Sequence, residues 1–296
     1  MAGIARVALI GFGEVGRTVA PNLKAAGADI SAYDILFASA DSKPSLAIEK
    51  MFVREAKSAA DAVSGAELVI SAVTAAADLD AARAVAPAIP RGAFYLDVNS
   101  VSPKMKQACA EIIERAGGCY VEAAVMTPIA PKGIGSPMLF GGPHAARFLG
   151  QAGALGFDAK VFSESVGQAS AVKMCRSVII KGTEALLMEA MLSARHYGVE
   201  KPVLDSLSDL LPVGDWEKLA RYFISRSVEH GVRRAEEMRE AAKTVAEADV
   251  EPLMALATAE REDWAAAHKD ALTEKDLGAL LDAIRAAMNL TAKAAQ

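Results

Sequence analysis

The chain opens with the stretch Val7-Ala8-Leu9-Ile10-Gly11-Phe12-Gly13-Glu14-Val15-Gly16, in which an apolar strand leads into a glycine-rich turn and a helix. The spacing of the glycines is G-x-G-x-x-G. Gly11 allows a tight turn off the strand, Gly13 lets a ligand approach the backbone, and Gly16 lets the helix pack closely on the sheet. The amino terminus of a helix attracts phosphate, so this stretch predicts a site for the pyrophosphate of a dinucleotide.

A second strand-like segment, residues 28–33, ends in Asp34, which lies about 20 residues after the glycines. A carboxylate at this position accepts hydrogen bonds from both hydroxyls of the adenine-side ribose and repels a 2′-phosphate. NAD is therefore favoured over NADP as the cofactor. Two simpler interpretations remain open: the glycines serve only the packing of an ordinary βαβ turn, or Asp34 is a solvated loop residue.

The composition of the chain limits the kind of protein that it can be and the kinds of partner that it can bind. The chain has 296 residues, of which 52% are hydrophobic, enough for two domains of ordinary size. Its net charge is −5 and it has no basic stripe, so nucleic-acid binding is not expected. It has no run of about 18 apolar residues, so we expect no membrane span. A strand begins almost at the amino terminus, so no signal segment is expected.

The reactive side chains show no metal-binding or disulfide pattern. Cys109, Cys119 and Cys175 lack C-x-x-C spacing, and free thiols in a reducing cytoplasm are the simple interpretation. The four histidines are scattered without the spacing of metal ligands, so no metal site is predicted.

Strands and helices alternate through the first half of the chain, and helical periodicity replaces them near Gly167. Such alternation predicts an α/β Rossmann-type, doubly wound parallel sheet followed by an all-α domain. We expect a dinucleotide-binding domain over residues 1–164 and a helical substrate and dimerisation domain over residues 165–296. Gly231 is expected to end a helix. The long apolar helix over residues 169–197 suits a helical interface, which predicts a homodimer.

A parallel sheet binds ligands beyond the carboxyl ends of its strands, so the loops that follow the strands form the predicted site. One loop carries Val73 and Thr74, and the small residues there suit a close approach by the cofactor but are equally ordinary at the start of a helix. The next carries Asn99 and Ser100, whose hydrogen-bond donors are expected to be free near the nicotinamide. The alternative is that Asn99 and Ser100 form only the turn and cap before a helix.

The helix that starts the second predicted domain carries Lys173 among small and apolar residues. At about 100° per residue, Ser177 falls roughly 40° from Lys173, and Arg176 lies roughly 60° away on the other side. A lysine desolvated near its reaction partner has a lowered pKa and is a usable acid–base group near neutral pH. On spacing alone, the simpler interpretation is an interdomain lysine that reaches water along its stem.

Four blocks of the sequence together resemble the β-hydroxyacid dehydrogenase family, which includes 3-hydroxyisobutyrate and 6-phosphogluconate dehydrogenases. The blocks are the glycine fingerprint with Asp34, residues 97–103, residues 122–128 and residues 167–177. The helical second half looks like a divergent branch of 6-phosphogluconate-dehydrogenase-like proteins. The resemblance implies that Lys173 accepts the hydroxyl proton as hydride leaves for the nicotinamide. It also implies that Asn99 and Ser100 contact the substrate and the nicotinamide.

The substrate half departs from the family pattern at two places. The family's third block reads Asp-x-Pro-Val-Ser-Gly-Gly, whose serine and glycines bind a substrate carboxylate, whereas Met126 cannot donate that hydrogen bond. The family's lysine block ends in an asparagine pair, whereas Arg176 and Ser177 stand here. Arg176 offers a bidentate contact to a carboxylate instead. The substrates of the named relatives are therefore not transferred to this chain.

These features predict NAD(P)-dependent transfer of a hydride between a nicotinamide cofactor and a hydroxyl group of a small hydroxy acid. The alternatives are an imine or enamine reductase on the same fold, against which Lys173 argues, and a non-catalytic dinucleotide-binding sensor. The predicted catalytic residues are Lys173, Ser100, Asn99 and Ser177. The predicted cofactor-binding residues are Gly11, Phe12, Gly13, Glu14, Val15, Gly16, Asp34, Val73, Thr74 and Asn99. The predicted substrate-binding residues are Ser100, Met126, Thr127, Arg176 and Ser177.

Overall fold

The computed structural model describes residues 3–207 and 212–294, and the chain divides into the units Met1–Met174 and Cys175–Gln296. The boundary between the units falls inside helix α7 (Gln168–Tyr197). The domain limits drawn from the sequence divide the chain after residue 164, whereas the unit that contains the sheet extends to Met174.

The first unit is built on an eight-stranded sheet with the strand order β3-β2-β1-β4-β5-β6-β7-β8. Its strands are β1 (Arg6–Ile10), β2 (Asp29–Tyr33), β3 (Arg54–Glu55), β4 (Leu68–Ser71), β5 (Phe94–Asp97), β6 (Cys119–Val125), β7 (Met138–Gly141) and β8 (Ala159–Ser163). The strand order reverses direction between β1 and β4, as it does in doubly wound dinucleotide-binding sheets. The predicted α/β Rossmann-type class is confirmed.

One pairing departs from the predicted parallel sheet: β7 runs antiparallel to β6. The connecting residues, 126–137, contain a short 3₁₀ turn (Gly133–Gly135) and no longer helix. A parallel connection crosses over a face of the sheet, usually with a helix in the crossover. The chain therefore turns back at this point and pairs Val125 with Met138.

Helices cover both faces of the sheet, so its central strands β1, β4, β5 and β6 are buried on both sides. Val7 and Leu9 of β1 lie in the hydrophobic cluster under one layer of helices, and Ala8 and Ile10 lie in the cluster under the other. Successive side chains of a strand point to opposite faces, which explains this alternation. The helices of the first unit that precede α7 are α1 (Glu14–Ala25), α2 (Lys43–Met51), α3 (Ala59–Val63), α4 (Asp78–Val85), α5 (Pro103–Arg115) and α6 (Ala145–Gln151).

The described residues of the second unit, 175–207 and 212–294, form helices and the turns that connect them, without a strand, as the sequence pattern predicts. After α7 come α8 (Glu200–Leu207), α9 (Trp216–Glu247), α10 (Leu253–Ala265) and α11 (Leu277–Ala294). A buried cluster that includes Met188, Ile224 and Leu281 forms its core. Within the part of the chain that the structure describes, no helix combines the length and apolarity needed to cross a membrane.

Gly231 does not end a helix, and this expectation from the sequence is wrong. Helix α9 runs through it without interruption from Trp216 to Glu247. A Cβ atom on Gly231 would lie 2.2 Å from the backbone oxygen of Glu262 in α10. The glycine is therefore present because two helices approach closely there.

Candidate functional site

The glycine loop between β1 and α1 has the shape that a pyrophosphate requires. Gly11 has a φ of +93°, and a Cβ on it would lie 2.3 Å from the oxygen of Ala72. A Cβ on Gly16 would lie 2.3 Å from the oxygen of Gly11, so the helix packs directly on the turn. A Cβ on Gly13 would meet nothing within 4 Å, and no side chain caps α1 there. The exposed amino terminus of α1 therefore fits an anionic group.

Asp34 lies directly after β2 and is tied to the glycine loop. Its Oδ2 accepts a hydrogen bond from the Phe12 N–H at 2.7 Å, and its Oδ1 accepts one from the Leu36 N–H at 2.9 Å. A carboxylate offers about four acceptor positions, so both oxygens retain capacity for ribose hydroxyls. The residues of this loop fit a dinucleotide.

The other loop residues predicted to bind cofactor differ in exposure. The Phe12 side chain is fully buried and contacts Phe37, and its N–H is used by Asp34. Glu14 is exposed in the first turn of α1, and Val15 is half-buried. Val73 and Thr74 follow β4, and the Val73 N–H donates to Asn99 Oδ1 at 2.8 Å.

Asn99 is buried, and its hydrogen-bond donors are not free, contrary to the expectation from the sequence. Its Nδ2 donates to Ser71 Oγ at 3.0 Å and to Asp78 Oδ1 at 2.7 Å. Its Oδ1 accepts from the Val73 N–H. The side chain therefore joins the loop after β4 to the loop after β5, with both amide hydrogens used inside the protein.

Ser100 and Lys173 lie together, although 73 positions separate them in the chain. The Lys173 Nζ donates to Ser100 Oγ at 2.7 Å, and both side chains are half-buried. The hydroxyl of Ser170, one turn earlier on α7, donates to the backbone oxygen of Val101. The first turns of α7 are thus fastened to the loop that carries Ser100.

A buried carboxyl group, Glu122 of β6, holds the start of α7. Its Oε1 accepts a hydrogen bond from the Ala169 N–H at 2.9 Å. Burial raises the pKa of Glu122 above its ordinary value. Hydrogen bonds from the backbone N–H groups of Ala169, Gly167 and Ser170 oppose this rise but do not cancel it. A Cβ on Gly141 would lie 2.2 Å from Glu122 Oε1, so the glycine in the neighbouring strand leaves the room that the Glu122 side chain occupies.

The predicted substrate residues fall into two groups. Met126 is half-buried and packs against a small cluster formed by Ala124, Leu139 and Ala169. Thr127 is exposed, and its hydroxyl donates to the oxygen of Pro128 at 3.3 Å. Arg176, which is exposed, and Ser177, which is half-buried, lie on α7 in the second unit.

Beneath these loops lies a buried polar cluster that the sequence reasoning did not identify. Lys106 Nζ lies 2.7 Å from Asp97 Oδ1, and the Tyr120 hydroxyl donates to Asp97 Oδ2 at 2.6 Å. Burial opposes the charge of Lys106, but Asp97, Asp78 and Glu122 outweigh it and raise the pKa of the ammonium group. Two features of the sequence could have indicated this cluster. Asp97 is an acid within an apolar strand, and Lys106 lies on the apolar face of α5.

Comparison with known proteins identifies two regions of the chain. Residues 6–147 match the NAD-binding domain of 6-phosphogluconate dehydrogenase, and residues 194–264 match a domain of unknown function, DUF1932. A conserved hypothetical protein from Sinorhizobium meliloti is 34% identical, with 95% of this chain and 96% of that chain covered and a TM-score of 0.75.

Two further solved structures are similar to this chain. A conserved protein of unknown function, described as structurally similar to 3-hydroxyacid dehydrogenases, is 31% identical. The match covers 88% of this chain and 96% of that chain, with a TM-score of 0.70. The 3-hydroxyisobutyrate dehydrogenase of Mycobacterium tuberculosis is 19% identical, with 96% and 100% of the two chains covered and a TM-score of 0.72. At that identity the last comparison supports the fold alone.

Proposed function

This chain belongs to the β-hydroxyacid dehydrogenase family, and we propose that it is an NAD-dependent oxidoreductase that acts on the hydroxyl group of a small hydroxy acid. It contains a nicotinamide dinucleotide-binding domain. The residues proposed to hold the cofactor are those of the glycine loop, Asp34 and the backbone around Val73.

The observation that carries the proposal is the contact between Lys173 and Ser100. When bound, the dinucleotide supplies a carbon atom that accepts or releases a hydride. Lys173 takes the hydroxyl proton of the substrate in the oxidation direction and returns it in the reduction direction. Ser100 orients the amino group by accepting its hydrogen bond at 2.7 Å. Its own hydroxyl hydrogen then remains available for the substrate.

The preference for NAD is proposed from the position of Asp34. Its carboxylate is held by the Phe12 and Leu36 N–H groups at the end of β2, where the adenine-side ribose is expected. A negative charge held there repels the additional phosphate of NADP.

The substrate class is proposed from the residues that differ from the family pattern. Met126 lacks a hydrogen-bond donor and packs against apolar neighbours, so it supplies shape rather than a carboxylate contact. Arg176 and Ser177 are the proposed polar contacts for the acid group, since a guanidinium binds a carboxylate through two hydrogen bonds.

The apolar surface of the second unit supports a homodimer. Ile179 is 68% exposed and Leu186 is 59% exposed on α7, and Met254 is 55% exposed on α10. Leu186 and Met254 line the same surface groove, and contiguous exposed apolar patches mark surfaces that other chains cover. Sedimentation of a monomer at micromolar concentration would contradict this assignment.

The three free cysteines support the further proposal of a reducing, cytoplasmic location.

An activity screen tests the proposed function. NADH formation is measured with NAD and a panel of three- to six-carbon and aromatic hydroxy acids, and NADH binding is followed in parallel by fluorescence. We expect turnover of at least one member of the panel. Tight NADH binding without turnover of any hydroxy acid would favour a dinucleotide sensor, and turnover confined to imines would favour a reductase of the same fold.

A further inference from the structure

The loop that carries Ser100 is connected to the loop after β4 through one buried carboxyl group. Asn99 accepts the Val73 N–H and donates to Asp78 Oδ1 at 2.7 Å. Asp78, the first residue of α4, is fully buried. The orientation of the Asn99 amide therefore depends on what Asp78 presents to it.

Asp78 lies against a second fully buried carboxyl group, Asp97. One oxygen of each carboxyl and the sulfur of Cys109 all lie within 4.8 Å of one another. Both oxygens of Asp97 already accept hydrogen bonds, Oδ1 from Lys106 and the Asn99 N–H, and Oδ2 from the Tyr120 hydroxyl. By contrast, Asp78 Oδ2 has no hydrogen-bond partner among the described residues.

The ammonium group of Lys106 can offset the negative charge of at most one of these two carboxyls. The groups that face the pair are Lys106 and Cys109 of α5, Tyr95 of β5 and Tyr120 of β6, and Glu122 acts on it through Lys106. Burial raises the pKa of the Cys109 thiol and of both tyrosine hydroxyls, so these groups are uncharged. One ammonium group, on Lys106, then faces two carboxyls, and two adjacent buried carboxyls cannot both ionise without a large cost.

We propose that Asp78 and Asp97 share one proton, and that this protonated pair positions Asn99 between the dinucleotide loop and Ser100. Asp78 is thus a positioning residue that acts through Asn99. The assignment of the two loops to cofactor and substrate rests on the proposed function, whereas the sharing of the proton does not. The side chains of Asp78, Asp97 and Cys109 resemble a metal-ligand set, but Lys106 already supplies the positive charge next to Asp97.

The direction of the pH dependence follows from the pKa of Asp78. Burial and the charge of Asp97 raise it to about 8, against the opposing effects of Lys106 and Asn99. Between its unfolded value near 4 and about 8, the folded state holds a proton that the unfolded state has lost. The stability contributed by this proton is therefore complete at low pH and lost as pH rises to about 8. Above that value the cluster carries an extra negative charge next to Asn99, and we expect the loops to loosen.

The Asp78→Asn variant tests the proposal because its amide keeps a hydrogen where the neutral carboxyl has one. NADH affinity is measured by fluorescence from about pH 6.5 to about pH 9.5. A fully coupled group with a pKa of about 8 raises the Kd of the wild-type protein about tenfold between pH 7 and pH 9. The Kd of Asp78→Asn should stay constant. The control is Asp80→Asn, an exposed acid of the same helix, which should follow the wild-type protein.

Two further measurements do not depend on cofactor binding or turnover. The unfolding temperature of Asp78→Asn minus that of the wild-type protein should increase from about pH 5 to about pH 8 and then stay constant. The infrared spectrum of the wild-type protein should contain a protonated-carboxyl band at neutral pH that disappears at alkaline pH and is missing from the spectrum of Asp78→Asn. Parallel pH profiles for both proteins, absence of this band, or a stoichiometric bound metal ion would overturn the proposal. If NADH does not bind at all, the proposed function fails while these two measurements still decide whether the proton is shared.

Discussion

Lys173 Nζ donates a hydrogen bond to Ser100 Oγ at 2.7 Å, and this contact joins the first turns of α7 to the loop after β5. Two other contacts hold the same arrangement: the Ser170 hydroxyl donates to Val101, and Glu122 accepts the Ala169 N–H. These contacts fix the first turns of α7, and with them the position of Lys173. A general acid–base group gains most when its position is fixed in this way before the substrate arrives.

Replacing Ser100 should reduce turnover without unfolding the protein. In Ser100→Ala the Lys173 amino group loses its acceptor, and a hydrogen bond to a charged group contributes about 1.5–3 kcal/mol. We expect kcat to fall by about tenfold to a hundredfold. The protein should stay folded, with an unfolding temperature lowered by only a few degrees, because Ser100 is half-buried. Steady-state kinetics of Ser100→Ala beside the exposed-site control Ser165→Ala measure this. Equal kcat values for the two variants would remove Ser100 from the proposed reaction.

Asp34 should set the ratio of NAD to NADP affinity. In Asp34→Ala the ribose hydroxyls lose a charged acceptor, which corresponds to a rise of about tenfold or more in the Kd for NAD. NADP should lose much less, because the repulsion of its phosphate is relieved at the same time. Fluorescence titrations with NADH and NADPH give both constants, and Asp29→Ala, at the exposed opposite end of β2, is the control. An equal loss for both cofactors would contradict the role of Asp34.

Two glycine substitutions should change stability in opposite directions. In Gly141→Ala the new methyl group lies 2.2 Å from Glu122 Oε1, so Glu122 must move away from the Ala169 N–H. We expect a loss of about 1–3 kcal/mol in the free energy of unfolding. In Gly150→Ala the methyl group meets nothing within 4 Å inside α6, and helix propensity should add up to about 1 kcal/mol. Urea denaturation of both variants tests this, and similar stability for the two would argue against Glu122 as the holder of α7.

The glycine loop and the alternation of strands and helices could be read from the sequence because both depend on local rules. Gly11 and Gly16 are required by backbone geometry and close approach, and the observed clearances agree with those requirements. The reversed direction of β7 could not be read in this way, because a strand of four residues carries no information about the direction of its neighbour.

The candidate site was harder to predict from the sequence, because the type of a residue does not show which of its hydrogen-bonding groups already have partners inside the protein. Asn99 has the same amide whether it binds a ligand or joins two loops, and only the fold brings Asp78 and Ser71 to it. Gly231 is likewise a helix terminator by type, and the nearby backbone of α10 gives it a different role. The roles of Asp97, Lys106 and Glu122 depend on how deeply each side chain is buried. The apolar residues around them in the sequence indicate that depth only weakly.

The most direct test of the central claim compares wild-type protein with Lys173→Ala on the first hydroxy acid that the activity screen identifies. General acid–base catalysis contributes about 10²–10⁴-fold, so kcat should fall by that factor. The Kd for NADH should remain unchanged, and the exposed-site control Lys160→Ala should retain full activity. A kcat for Lys173→Ala that equals that of the control would contradict the assignment of Lys173 as the proton-transfer group.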